Sequence, residues 1–215
     1  MFLPNLKSAV LAASLSVASL TASAQTFGEF LNKPEMPLTF MGVDFLNVKY
    51  IGDPGVVAPR KMKRLFSDIN RLMVQEPEKY NLSKALNHSN VVFNISVAET
   101  NNEKIDTTSL LSLDNQRNRL TTEQIAALMT NYSFPANASG VGLVFVVEEL
   151  VKAEEQTVFW ATFVDMASKK MLYTEKISGK ALGMGFRNHW AGGIYNGLKI
   201  IKSRYGDWKK KYAKS

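Results

Sequence analysis

Apolar positions recur along this chain with two different periods, and the changes of period mark its elements. Residues 38–51 (LTFMGVDFLNVKYI) are rich in β-branched and aromatic side chains, which predicts a first strand. Gly52-Asp53-Pro54-Gly55 ends it with strong turn chemistry. Over 59–74 the period lengthens. Met62, Leu65, Phe66, Ile69, Leu72 and Met73 fall at steps of three and four and predict an amphipathic helix. Pro59 suits its first turn, where the missing N–H would have no partner. Arg60, Lys61, Lys63, Arg64 and Arg71 fill other positions. A short second helix is expected over 77–86, and 91–98 (VVFNISVA) alternates as a second strand. The polar stretch 101–118 carries little signal beyond a short strand near 109–113. Thr121-Thr122-Glu123-Gln124 opens a helix to about Asn131 with a cap and an early acid.

The strongest strand signal follows a loop over 135–140. Residues 141–152 begin apolar on both faces, as a central strand does. Strands over 157–166 and 171–178 follow after short charged turns and predict an antiparallel meander. The last element is a long helix over 186–205, with Phe186, Trp190, Ile194, Leu198, Ile201 and Tyr205 on one face. Gly192, Gly193 and Gly197 interrupt it. Each costs about 1 kcal/mol in a helix interior, so three of them point to close backbone packing or a kink. The order β-α-(α)-β-α-β-β-β-α predicts an α/β (α+β) fold built on a mixed sheet of about five strands. Residues 38–206 form one domain, 25–37 an extended and loosely packed lead-in, and 207–215 a basic tail.

The amino terminus adds a compartment. Residues 1–7 carry one charge, Lys7, residues 8–21 are uncharged and apolar, and Ala22-Ser23-Ala24 is a small-x-small site. This predicts a signal peptide over 1–24, cleaved after Ala24, and a periplasmic or secreted product. The apolar run is short and rich in Ala and Ser for a spanning anchor. There is no Cys, which excludes disulfides, thiolate metal sites and a lipid-bearing Cys after the cleavage site. The net charge of +7 is uneven. Residues 25–198 balance at 18 basic and 18 acidic, whereas 199–215 carry seven basic residues against Asp207. Such a segment attracts anionic surfaces, or is a solvated helix end that suits the helix dipole. The exported location argues against nucleic acid.

Candidate chemistry is sparse. Gly179, Gly183 and Gly185 precede a helix start and, with Lys180 and Arg187, form a candidate anion or ligand site. A flexible strand-to-helix connection explains the same residues. His189 beside Trp190 is the histidine to watch. The only other one is His88, far away in sequence, so no metal centre and no cofactor are expected. No G-x-S-x-G elbow is present. Glu148-Glu149 and Glu154-Glu155 are adjacent on a strand and at a turn, so they read as an exposed strand end rather than an acid pair. Trp208 and Tyr212, set among Lys209, Lys210 and Lys211 beyond the regular stripe, are candidate partner-binding residues.

The element order, with the hairpin FVDMASKKMLYTEKISG over 163–179, resembles the α/β domain shared by the amino-terminal part of TolB and the curli-secretion CsgG family. The segment SGKALGMGFRNHWAGG over 178–193 resembles a recurring segment of exported proteins of Gram-negative bacteria. The resemblance covers about two-thirds of the chain after residue 24 and implies an envelope assembly or secretion component rather than an enzyme. Without a lipid-bearing Cys or amphipathic membrane strands, it does not extend to a secretion pore. The expectation is a non-enzymatic exported domain that binds an envelope protein or an anionic surface. The alternative is a periplasmic protein that binds a small molecule or glycan, and a third class is a hydrolase with an unrecognised site. Partner identity and oligomeric state have no signal in the sequence.

Overall fold

A computed structural model describes residues 25–55, 57–112, 117, 120–135 and 138–214. The leader expected over 1–24 lies outside the described residues. The chain runs α1 (Phe27–Asn32), β1 (Leu38–Asp44), β2 (Lys49–Ile51), α2 (Pro59–Gln75), α3 (Leu82–Leu86), β3 (Val91–Phe93), α4 (Ser96–Asn102), β4 (Leu111–Ser112), α5 (Thr122–Thr130), β5 (Val141–Val151), β6 (Gln156–Asp165), β7 (Met171–Lys180) and α6 (Gly185–Tyr212).

β5 is the spine of one mixed sheet. On one edge it pairs antiparallel with β6, which pairs antiparallel with β7. On its other edge β1 and β2 lie end to end, both parallel to it. β3 continues outward from β1 and β4 from β2, again parallel. The seven strands therefore stand in five columns, two of them broken. The antiparallel run is one side of this sheet, and the other side is parallel.

The breaks have a local chemical cause. The single strand expected over 38–51 is interrupted at Phe45, where the Val48 N–H turns back to the Phe45 carbonyl at 3.1 Å. The strand expected over 91–98 stops at Phe93. Asn94 Oδ1 accepts from the Ser96 N–H at 3.3 Å and from its hydroxyl at 2.7 Å, and α4 begins there. Such local side-chain bonds compete with a strand ladder. Two helix amides take up backbone groups of β1 and of the residue after it. Asn70 of α2 accepts from the Val43 N–H at 2.7 Å and donates to its carbonyl at 2.9 Å. Asn102 of α4 accepts from the Phe45 N–H at 2.6 Å and donates to the Val43 carbonyl at 3.0 Å. The backbone groups that a continuous outer strand would satisfy are thereby paired.

Helices cover both faces. Leu143, Phe145 and Val147 of β5 pack with α1, α2, α3 and α6, including Phe30, Phe66, Leu86 and Trp190. Val144 and Val146 face the other way, against Ile125 and Met129 of α5 and Val97 of α4. This alternation explains why β5 reads as apolar on both faces.

Two expectations at the domain ends are corrected. The lead-in over 25–37 is not loose: Thr26 and Glu29 form a capping box, and Phe27, Phe30 and Leu31 are buried. The sequence TFGEFLN carries both signals, the T-x-x-E cap and apolar residues at three-to-four spacing. Pro34 and Pro37 come only after the helix. At the other end, α6 does not stop near Tyr205, and the tail expected over 207–215 is largely its last turns. Tyr205, Trp208 and Tyr212 continue the three-to-four stripe, and Trp208 is buried. Its ring meets Phe27, Phe163 and Tyr173 with centroids at 5.4–6.0 Å.

Candidate functional site

β7 delivers the chain to a short loop before α6. The loop backbone is held from two sides. The Ala181 N–H donates to the Glu155 carbonyl at 2.6 Å, and the Leu182 N–H donates to the His189 carbonyl at 3.1 Å. Gly183 takes φ +137° and Gly185 φ +77°, conformations that other residues rarely adopt. This Gly-Met-Gly geometry leaves Leu182 71 % and Met184 91 % exposed. Neither side chain belongs to a core stripe.

Beneath the loop lies a cavity of about 210 Å³, lined by Tyr50, Lys152, Gly183, Phe186, His189 and Trp190 among others. The His189 ring sits edge-on to Trp190 at 4.7 Å. Burial, then the Lys152 charge, lower its imidazole pKa from the ordinary histidine value. Its Nε2 is buried and has no hydrogen-bond partner among the described residues. Beside this cavity a groove of about 400 Å³ runs between α2 and the start of α6, lined by Val57, Lys61, Leu65, Met184, Phe186 and Arg187 among others.

The sequence-predicted site residues therefore separate. Gly183, Gly185 and His189 meet at the cavity, and Arg187 lies in the adjacent groove. Gly179 does not join them. It faces the backbone of α6 at Gly193 and Gly197, where a side chain has no room. Lys180 pairs with Glu155 at 3.0 Å, and its carbonyl accepts from Asn196 at 2.7 Å. The candidate anion cradle over 179–189 thus contracts to 183–189. Tyr50, Lys152, Lys61 and Leu65 were not foreseen, because strand and helix elements distant in sequence bring them there. Leu182 and Met184 carried a usable signal: two apolar residues set between glycines and outside every periodic stripe.

The carboxy-terminal candidates separate as well. Trp208 is in the core and donates its Nε1–H to Glu175 at 2.5 Å. Tyr212 is half-buried against Phe27 and Tyr173, at 5.8 and 5.2 Å. Lys209, Lys210 and Lys211 are exposed, with Lys210 3.7 Å from Asp207.

Buried acids elsewhere are matched. Asp44, whose carboxyl is pushed up by burial, accepts from Tyr132, from Asn101 at 2.9 Å and from the Leu46 N–H at 2.7 Å. The expectation that Glu148 and Glu149 mark an exposed strand end is corrected. Glu148 is fully buried, with Trp160 Nε1 at 2.9 Å, Lys176 at 2.6 Å and the Leu120 N–H at 2.8 Å. Glu149 pairs with Arg117 at 2.6 Å. A register shift in β5 between Val147 and Glu149 accompanies this arrangement. Among the described residues, no three His, Asp or Glu side chains gather as a metal site, and no helix is long and apolar enough to cross a membrane. Compared with models of known protein families, with curated proteins and with solved structures, the chain matches none.

Proposed function

We propose that the chain is exported, is cleaved after Ala24, and acts as a non-catalytic binding or assembly component of the cell envelope. Its docking surface is the loop before α6 with the adjoining groove on α2. One observation carries this reading: Leu182 and Met184 stand exposed on a held backbone, and Met184 borders an apolar groove that Lys61 and Arg187 also line. Apolar side chains clustered with a polar rim are typical of interaction sites. The resemblance to the TolB and CsgG type of α/β domain agrees with such a role. A photo-crosslinking residue in place of Met184 is expected to form adducts with an envelope component in intact cells, and one in place of Lys209 is not. No adduct at position 184, or equal adducts at both, overturns the placement of the surface. The small-molecule reading has the unpartnered His189 Nε2 and the aromatic lining of the cavity in its favour. A flat thermal-shift response to sugars and phosphates removes it.

Cleavage after Ala24 also has a structural consequence. The Gln25 nitrogen lies 3.2 Å from Asp165 Oδ2. Asp165 is buried, and its Oδ1 accepts from the Ala167 and Ser168 N–H groups at 2.9 and 3.2 Å. Processing turns that nitrogen from a neutral amide into an ammonium and gives the buried carboxylate a cationic partner. Intact mass is expected to place the first residue at Gln25. Asp165→Asn is expected to lower urea stability by about 1–3 kcal/mol, and by less in a chain that retains Ala24. Equal losses in the two chains remove the ion pair.

A further inference from the structure

We infer that the docking partner is an anionic lipid bilayer surface, with Leu182 and Met184 inserted among the acyl chains and Arg60, Lys61, Arg64 and Arg187 set against the headgroups. This rests on the proposed docking surface and names its partner. The shape is the first reason. Met184 borders an apolar groove and yet stays 91 % exposed, while Leu182 is 71 % exposed, so both are carried at an apolar tip. The tip is held in place: Leu182 is hydrogen-bonded through its N–H to α6, and its carbonyl lies against Gly192, where no side chain fits. A binding hot spot between proteins is a well-packed, desolvated pocket. A bilayer takes the opposite shape, an apolar edge under a cationic face.

Charge is the second reason. Residues 59–66 hold four basic side chains and no acid. Lys63 is turned to the Glu103 carbonyl at 2.6 Å, whereas Arg60, Lys61 and Arg64 make no ion pair among the described residues, and neither does Arg187. Lys152 adds a cation at the cavity under the loop. The nearby acids do not cancel this set. Glu155 is taken by Lys180, and Asp53, which accepts only from the neutral Gly55 N–H at 2.8 Å, offsets one charge of the five. Cations near an anionic leaflet each strengthen binding about fivefold, and a small apolar insertion supplies reversible rather than permanent attachment.

The test is flotation of the exported, processed chain with vesicles of phosphatidylcholine alone or with phosphatidylglycerol added. Binding is expected to the anionic vesicles only, and to weaken as salt is raised. Leu182→Ser with Met184→Ser is expected to lower the bound fraction about tenfold. Lys61→Gln with Arg187→Gln is expected to lower it about fivefold per charge. All four positions are exposed or lie at the groove, and unchanged melting curves for the variants establish that the fold is kept. Absence of binding, equal binding to neutral vesicles, or variants that bind as well as the parent overturn the inference. If vesicles fail while Met184 still crosslinks to an envelope protein, the docking surface stands and its partner is an acidic protein. If both fail, the docking surface falls too.

Discussion

Gly179→Ala is expected to destabilise the fold by at least about 3 kcal/mol, beyond the usual cost of an added methyl in a core. The reason is backbone against backbone. A methyl on Gly179 of β7 would land on the Gly193 carbonyl oxygen of α6 and 2.7 Å from the Gly197 nitrogen. Neither atom can rotate away, as the end of a side chain could, so the helix would have to lift off the sheet. That lift would open the contacts of Trp190, Ile194 and Ile177 in the main core. The same contact predicts the sign of changes on the helix. Gly193→Ala should destabilise, since its methyl would meet the side chain of Thr157. Gly206, in the same helix, has nothing within 4 Å of an added methyl. Gly206→Ala should therefore stabilise by up to about 1 kcal/mol through helix propensity alone. Urea unfolding of the three variants checks the account. A neutral or stabilising Gly179→Ala would show that α6 does not pack on β7 as closely as described.

These glycines also show what the sequence could and could not convey. Three glycines in a helix signal close packing or a kink because their cost in propensity is local and visible. Gly179 carries no such mark. It stands in a glycine-rich stretch before a helix, and only the pairing of β7 against α6 tells that it serves the packing and not the site. The same division runs through the fold. β5, β6, β7, α2 and α5 were readable because each has enough residues to display a period, or a cap such as Thr121 with Gln124. β4 falls within the short strand expected near 109–113, whereas β2 was hidden in the single strand expected over 38–51 and stands apart because the chain turns at Phe45. α4 was missed because Val91–Phe93 extends naturally into a strand until the Asn94 side chain intervenes. At the site, the glycine turn and His189 were readable, and Tyr50, Lys61 and Lys152 were not. Their convergence is a product of topology. Leu182 and Met184 were marked in the sequence by their place between glycines and outside every stripe, and the held loop turns that mark into exposure.

Trp208→Ala is expected to cost about 3–5 kcal/mol, the range for removing a buried aromatic side chain. The basic stretch around it invites the view that this end of the chain is a free contact arm, and the packing argues otherwise. Trp208 is 4 % exposed and closes a cluster with Phe27, Phe163 and Tyr173, so one ring joins α1, β6, β7 and the end of α6. Its indole N–H, the Tyr173 hydroxyl at 2.7 Å and Arg204 converge on Glu175. Burial and Glu175 hold the Tyr173 phenol above its ordinary range, so it stays a donor to that carboxylate. Removing the indole leaves a cavity and takes one donor from Glu175. Deleting 207–215 takes the ring, the contact of Tyr212 and the last turns of α6 together, and is expected to cost more than the point substitution. Lys209→Gln, Lys210→Gln and Lys211→Gln combined change the charge of the same turns while leaving the cluster in place, and should leave the urea midpoint nearly unchanged. A stable Trp208→Ala protein with a fragile triple variant would reverse the assignment. The contrast also decides how partner binding is to be probed at this end. A truncation that abolishes capture of a partner reports loss of the fold, whereas the triple variant reports on the charges themselves.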